Sequence, residues 1–271
     1  MLKNELFSLI TMFWTRRDLI LMLSRREIDL RYKGAGLGIV WAIIALLVQL
    51  LIFTFIFGFI FKTRWPVEGN TGIAGYALIL FSGLVCFSVF SETISRVGLS
   101  IISAPYLVKK VIFPVELLPI ASMNAALFHA SIGLVLIIFA LVFNLQAPPL
   151  TILLLPFVLL PLFLFTLGFA WFFSALGVFL KDTQFLSTLI SQLLFYATPI
   201  IYPLDMVPEN FHWIILLNPL THCVDMFRQV VLFGLVPNIL NWFFITLVCF
   251  VVAMVGFYLF SRMKHEFADV I

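Results

Sequence analysis

Long uninterrupted apolar runs alternate along this chain with short polar, charged or proline-rich breaks. The runs cover about 36–61, 72–95, 117–143, 151–180, 184–201 and 238–261. About 20 apolar residues in a helix cross a hydrocarbon core of roughly 30 Å, so each run predicts a membrane-spanning helix. A transmembrane barrel would instead alternate apolar and polar positions over segments of about ten residues. The expected fold class is therefore an all-α polytopic membrane protein with six spans.

The breaks predict further elements. Pro105, Pro114 and Pro119 cut 96–119 into short pieces, because proline lacks the donor a helix interior needs. A short helix is expected around 104–112, displaying Tyr106, Lys109 and Lys110. Pro156 and Pro161 predict distorted first turns in the fourth span, and Thr198-Pro199 a break in the fifth. In 2–24, Leu6, Ile10, Phe13 and Trp14 recur at helical spacing among Lys3, Arg16, Arg17 and Asp18. That pattern suits an amphipathic helix lying on a membrane surface; a solvated helical arm is the alternative. Within 202–237 the apolar pieces are too short to span and suit re-entrant or interfacial helices.

Charge then orients the scheme. With the N-terminus inside, 13 of the 16 Lys and Arg fall on the cytoplasmic side, against Lys62, Arg64 and Arg228 outside. Positive charge stays cytoplasmic, so both termini are expected there. The division is 1–33 as a cytoplasmic interface region, 36–261 as the six-span domain and 262–271 as a cytoplasmic tail. Composition agrees: 63% of residues are hydrophobic and 11% charged, where a soluble domain carries about 25% charge. The N-terminus shows no compact apolar core with a small-residue cleavage site, so no signal peptide is read there.

Candidate chemistry is sparse. No GxxxxGK[ST], HExxH or GxSxG occurs, so any ATP used is hydrolysed by another polypeptide. No metal site is expected, since Cys86, Cys223 and Cys249 stand far apart and His129, His212 and His222 lack ligand spacing. No span carries a charge near its centre, which argues against a proton- or sodium-coupled carrier. Asp225 and Arg228, three apart, suit either a local pair at the outer interface or a gate. Phe185, Thr188, Gln192, Phe195 and Tyr196 recur at helical spacing in the fifth span; Trp41, Gln49, Phe53 and Phe57 do so in the first. Such stripes suit a saccharide path, where sugars stack on rings and bond to amides; on composition alone, ordinary helix contact in a chain with 32 phenylalanines is the favoured account.

Five stretches together resemble the permease subunit of bacterial polysaccharide ABC exporters. They are RREIDLRYKGAGLGIVW, APYLVKKVIFPVELLP, FLKDTQF, FYATPIIYP and NPLTHCVDMFRQVVL, in that order. The resemblance covers nearly the whole chain and implies a homodimer forming a channel for lipid-linked polysaccharide, O-antigen above all. Two copies of a separate ATPase would drive it, binding ATP and Mg in place of any cofactor on this chain. Membrane lipids are implied as partners and nucleic acid is not; the bacterial inner membrane is the implied location. By the same resemblance, Tyr106, Lys109, Lys110, Lys181 and Asp182 couple to the ATPase. Arg25, Arg26, Arg31 and Lys33 meet the lipid's pyrophosphate, unless they only set topology and touch anionic head groups. Trp41, Gln49, Phe53, Thr188, Gln192, Phe195 and Tyr196 line the channel. Asp225 and Arg228 lie in a periplasmic hairpin that closes the exit. One departure concerns Trp41, followed here by AIIALLVQ where the family carries a proline that kinks the helix. A related permease for drugs or small lipids remains open, as does, more remotely, an integral-membrane enzyme acting on polyprenyl lipids.

Overall fold

The structure, a computed structural model, describes residues 15–32, 36–60, 73–108, 113–143 and 147–270. Among the described residues every regular element is helical. Helix α1 (Arg17–Tyr32) is followed by α2 (Val40–Phe53), α3 (Ile73–Ser100), the single turn α4 (Pro105–Val108) and α5 (Leu117–Phe143). Next come α6 (Leu155–Val158), α7 (Leu160–Phe179), α8 (Thr183–Tyr196), α9 (Glu209–Leu217), α10 (Pro219–Arg228), α11 (Ile239–Met263) and α12 (Phe267–Val270).

Among the described residues, four stretches are long and apolar enough to cross a membrane: Gly75–Ser100, Leu117–Phe143, Leu150–Phe179 and Ile239–Glu266. The first expected span is a shorter apolar helix, Val40–Ile56. It passes into a π-helical stretch, Thr54–Ile60, without any proline. Thr54 marks the change, its hydroxyl donating to the Leu50 carbonyl at 2.6 Å, and such back-bonding bends helices. The fifth expected span is shorter than the sequence suggests: α8 stops at Tyr196, and Thr198 Oγ1 closes its end on the Leu194 carbonyl.

Other expectations also shift. The second span runs on to Ser100 instead of stopping near 95. Ser95 and Ser100 donate to carbonyls three residues back, and Glu92 finds partners on other helices. The fourth span opens as a 3-10 turn (Leu150–Leu154) and the short α6, with Pro156 and Pro161 each in the first turn of a helix. Of the helix expected around 104–112, α4 is the described portion. The expected helix over 2–24 falls largely outside the described residues; α1 instead carries the basic block through to Arg31.

Helix α3 is the axis of the bundle, buried along most of its length against α5, α7, α8 and α10. Lipid is as apolar as leucine, so helices associate in it through close contact rather than by expelling water. Helices α7 and α11 meet through Gly168 and Gly256: a Cβ on Gly256 would lie 2.0 Å from the Gly168 carbonyl oxygen. One core surrounds Phe81, Phe90 and Phe173 in mid-bundle. A second lies where Ile20 and Leu23 of α1 meet Ile101, Leu117 and Phe260.

Candidate functional site

Helix α1 is fixed to the bundle by its buried edge. Ser24 donates to the Ile20 carbonyl and accepts from Asn124 Nδ2 at 2.9 Å. A little over two turns further along α1, Tyr32 OH lies 3.2 Å from His129 Nδ1, so α1 and α5 touch at two levels. At the same end Arg31 reaches α3, where its guanidinium donates to Glu92. Burial works against the Arg31 charge, but the Glu92 hydrogen bond and field outweigh it and hold the guanidinium above the usual arginine value. The other Glu92 oxygen stands 3.4 Å from His129 Nε2. Arg31, Tyr32, Glu92 and His129 thus form one polar cluster joining three helices.

The opposite face of α1 is open. A groove of about 650 Å³ runs over Asp18, Leu21, Met22, Arg25, Arg26, Asp29 and Leu30. Leu21, Met22 and Leu30 are each more than half exposed, beside two cations and two carboxylates. Arg26 also lies 5.9 Å over the ring of Tyr106 in α4, a cation–π distance. The groove helix and the α4 turn are thereby in direct contact.

Behind the polar cluster a cavity of about 280 Å³ opens between α2, α3, α5 and α8. Its wall combines rings (Phe53, Phe87, Phe195) with polar groups (Gln49, Ser88, Ser91, Glu92, His129). Phe87 and Phe195 meet edge-on at 5.4 Å. Rings with amides and hydroxyls can take a neutral polyol, and the single carboxylate sits at the edge nearest α1.

Of the seven residues expected to line a channel, the cavity brings together Gln49, Phe53 and Phe195. Trp41, Thr188, Gln192 and Tyr196 are exposed on the bundle surface and lie outside this lining. Of the four expected anion-binding cations, Arg25 and Arg26 border the groove, whereas Arg31 is engaged by Glu92. Lys33 lies outside the described residues, as do Lys109 and Lys110. Tyr106, Lys181 and Asp182 are exposed. The 181–182 turn is held to α3 by Gln184 Nε2, which donates to the Ser95 carbonyl.

Arg228 is deeply buried. Its Nε donates to the Ile79 carbonyl at 3.1 Å, Nη1 to Pro199 at 2.9 Å and Nη2 to Ile200 at 3.0 Å. It thus caps the Pro199 and Ile200 carbonyls just past the end of α8 and ties them to the Ile79 carbonyl inside α3. Asn218, at the joint between α9 and α10, adds a bond from Nδ2 to Thr198 Oγ1 at 2.9 Å. Asp225 remains exposed and accepts from Gln229. The Arg228 and Asp225 side chains therefore do different things, one binding the hairpin to the bundle and the other facing outward.

Two contacts escape sequence reasoning. His129, solitary in its span, finds partners 97 and 37 residues away. Glu116, just before α5, holds the Lys264 ammonium beyond α11, while its carbonyl accepts from Trp171 Nε1 at 3.2 Å. Glu92 did carry a signal, as the one acid closing an otherwise apolar run.

Comparison with known proteins adds a second line. Residues 18–232 match the family described as ABC-2 type transporter. The chain is 28% identical over 258 residues to an O-antigen export system permease protein RfbA of Klebsiella pneumoniae, covering 94% of this chain and 95% of that one. A second Klebsiella pneumoniae protein of that name is 27% identical with the same coverage. A Myxococcus xanthus protein of that name is 24% identical over 257 residues, covering 93% of this chain and 95% of its own.

Proposed function

Because the chain belongs to the ABC-2 type transporter family, we propose that it is the membrane-spanning permease subunit of an exporter for lipid-linked polysaccharide, with O-antigen as the leading substrate. The similarity to O-antigen export permeases over more than nine-tenths of both chains supports this reading. Among the geometric features, one carries it furthest. The groove on α1 sets Arg25 and Arg26 among exposed leucine and methionine, and Arg31 and Tyr32 of the same helix contact Glu92 and His129 in the wall of a cavity lined by rings, an amide and hydroxyls. A prenyl diphosphate presents the complement of the groove, an apolar chain ending in concentrated negative charge, and guanidinium groups bind such charge by paired hydrogen bonds. The sugar presents the complement of the cavity.

In this reading two copies of the chain form the channel, each with six spans and both termini in the cytoplasm of a bacterium, in its inner membrane. The hairpin of α9 and α10 is re-entrant at the periplasmic exit; Arg228 anchors it and Asp225 faces the opening. Two copies of a separate ATPase bind ATP and Mg and hydrolyse the nucleotide. They dock on the Tyr106–Lys110 segment and on Lys181–Asp182. The contact between Arg26 and Tyr106 then gives the docking segment a direct mechanical link to the groove.

Deleting the gene and analysing both surface glycan and cytoplasmic lipid-linked intermediates tests the function. The expected result is polymer accumulating inside and missing from the surface; an unchanged glycan profile overturns it. Reversing Lys109 and Lys110 to glutamate tests docking, with loss of the co-purifying ATPase expected. Export of drugs or small lipids is the second reading, favoured if the glycan profile is unchanged while sensitivity to such compounds rises.

A further inference from the structure

Arg31 stands apart from the other basic residues of α1. Arg25 and Arg26 border the open groove, whereas Arg31 turns inward to Glu92 of α3, with both side chains about four-fifths buried. Among the described residues, the polar groups around the pair form a small set. His129 Nε2 faces the second Glu92 oxygen at 3.4 Å. Tyr32 OH meets His129 Nδ1, and the phenol donating there leaves the imidazole proton on Nε2, directed at Glu92. Arg96, four residues after Glu92 on α3, is exposed and its field reaches both Tyr32 and His129.

We infer that the Glu92 carboxylate is an internal competitor for Arg31, occupying this guanidinium until the anionic head group of a prenyl diphosphate takes its place. The inference rests on the proposed function, since it assigns regulation to the helix on which that function places the head group.

Three features argue for exchange rather than a permanent tie. A guanidinium in a single carboxylate contact retains further donors, and a diphosphate offers more acceptor oxygens and more charge than one carboxylate. A largely buried pair does not open freely, because an abandoned charge is costly, but with about a fifth of each side chain exposed it can trade one anion for another. Glu92 would not be stranded by the trade, as the His129 Nε2–H stays beside it. Glu92 and His129 also form part of the cavity wall. Displacing Arg31 therefore alters the one charged edge of that cavity when a head group arrives.

The test measures binding of farnesyl diphosphate to the full chain in lipid nanodiscs. Glu92→Gln is expected to tighten binding roughly fivefold, the scale of a partly exposed charge pair. Arg31→Gln is expected to weaken it, and the double variant to match Arg31→Gln. If Glu92→Gln does not fold, Glu92→Asp carries the test: its shorter reach loosens the contact, and binding tighter than in the unaltered protein is expected. Inorganic pyrophosphate, offered alone, should give the same order of variants at lower affinity; loss of that order overturns the inference. Unchanged or weaker binding in the Glu92 variants, with Arg31→Gln still weakened, overturns the competition while leaving the head-group reading intact. If Arg31→Gln, Arg25→Gln and Arg26→Gln all bind normally, the head-group reading itself falls.

Discussion

Gly83 lies directly against the guanidinium of Arg228: a Cβ on the glycine would come within 2.6 Å of Nη2. The end of a long side chain ordinarily moves aside. This one donates to three carbonyls on two separate segments, and two of them, Pro199 and Ile200, lie past the end of α8, so any shift loosens bonds that no helical donor replaces. Gly83→Ala is expected to lower the melting temperature in detergent. Arg228→Ala is expected to cost more, about 3 kcal/mol, because it leaves buried carbonyls without partners. Arg228→Lys should recover part of that loss. Thermal melts followed by size-exclusion chromatography check the order, and an Arg228→Ala protein as stable as the unaltered one would refute the capping role.

The α7–α11 contact makes a sharper demand. Bulk at Gly256 meets the backbone of Gly168, which has no rotamer to change. Gly256→Leu is expected to separate the helices and sharply reduce the yield of folded protein. An exposed position on the same helix, Val255→Leu, should do neither. Membrane expression levels of the two variants decide the matter.

Lys264 and Glu116 tie the segment after α11 to the start of α5. Lys264 is a little over one-third exposed and Glu116 is nearly buried, so the pair itself is worth only about 1 kcal/mol. The penalty is asymmetric, because Glu116 Oε2 already lacks a partner. Lys264→Ala alone is therefore expected to destabilise more than Lys264→Ala combined with Glu116→Gln. A double-mutant cycle on melting temperature measures the difference, and additive effects would refute the coupling.

On the proposed function, reversing Arg25 and Arg26 to glutamate should strongly reduce surface glycan, since it places four carboxylates around the groove. Arg26→Lys keeps the charge but replaces the guanidinium that lies 5.9 Å over the Tyr106 ring by a compact ammonium, and an intermediate loss is expected. Quantitative glycan staining of complemented deletion strains reads both. Normal glycan in the double reversal would remove the groove from the transport path.

The third and last spans could be read almost to the residue, at Leu117–Phe143 and Ile239–Met263. Each is a continuous apolar run with polar or turn-forming residues at both ends, and Asn238 caps the last by accepting from Leu240 and Asn241. The break at Thr198-Pro199 was equally visible, because proline acts locally. Partnerships across the bundle were not. Periodicity gathers Thr188, Gln192, Phe195 and Tyr196 toward neighbouring parts of one helix but says nothing of what that helix meets, and only Phe195 reaches the cavity. Arg228 reads as an interfacial charge from its neighbours; its burial follows from carbonyls that the Pro199 break leaves open nearly thirty residues earlier. The π-helical stretch after Phe53 has no proline or glycine pair to announce it.

The cap at the α8 break also has a place in time. Synthesis proceeds from the N-terminus, and segments fold as they emerge. Pro199 and Ile200 are made 29 and 28 residues before the side chain that satisfies them. During that interval the end of α8 must find water or other temporary partners, because bare carbonyls are not tolerated in hydrocarbon. The nascent helix therefore stays at a wet boundary until Arg228 arrives, and the hairpin that carries Arg228 completes the seating of a helix that was made before it.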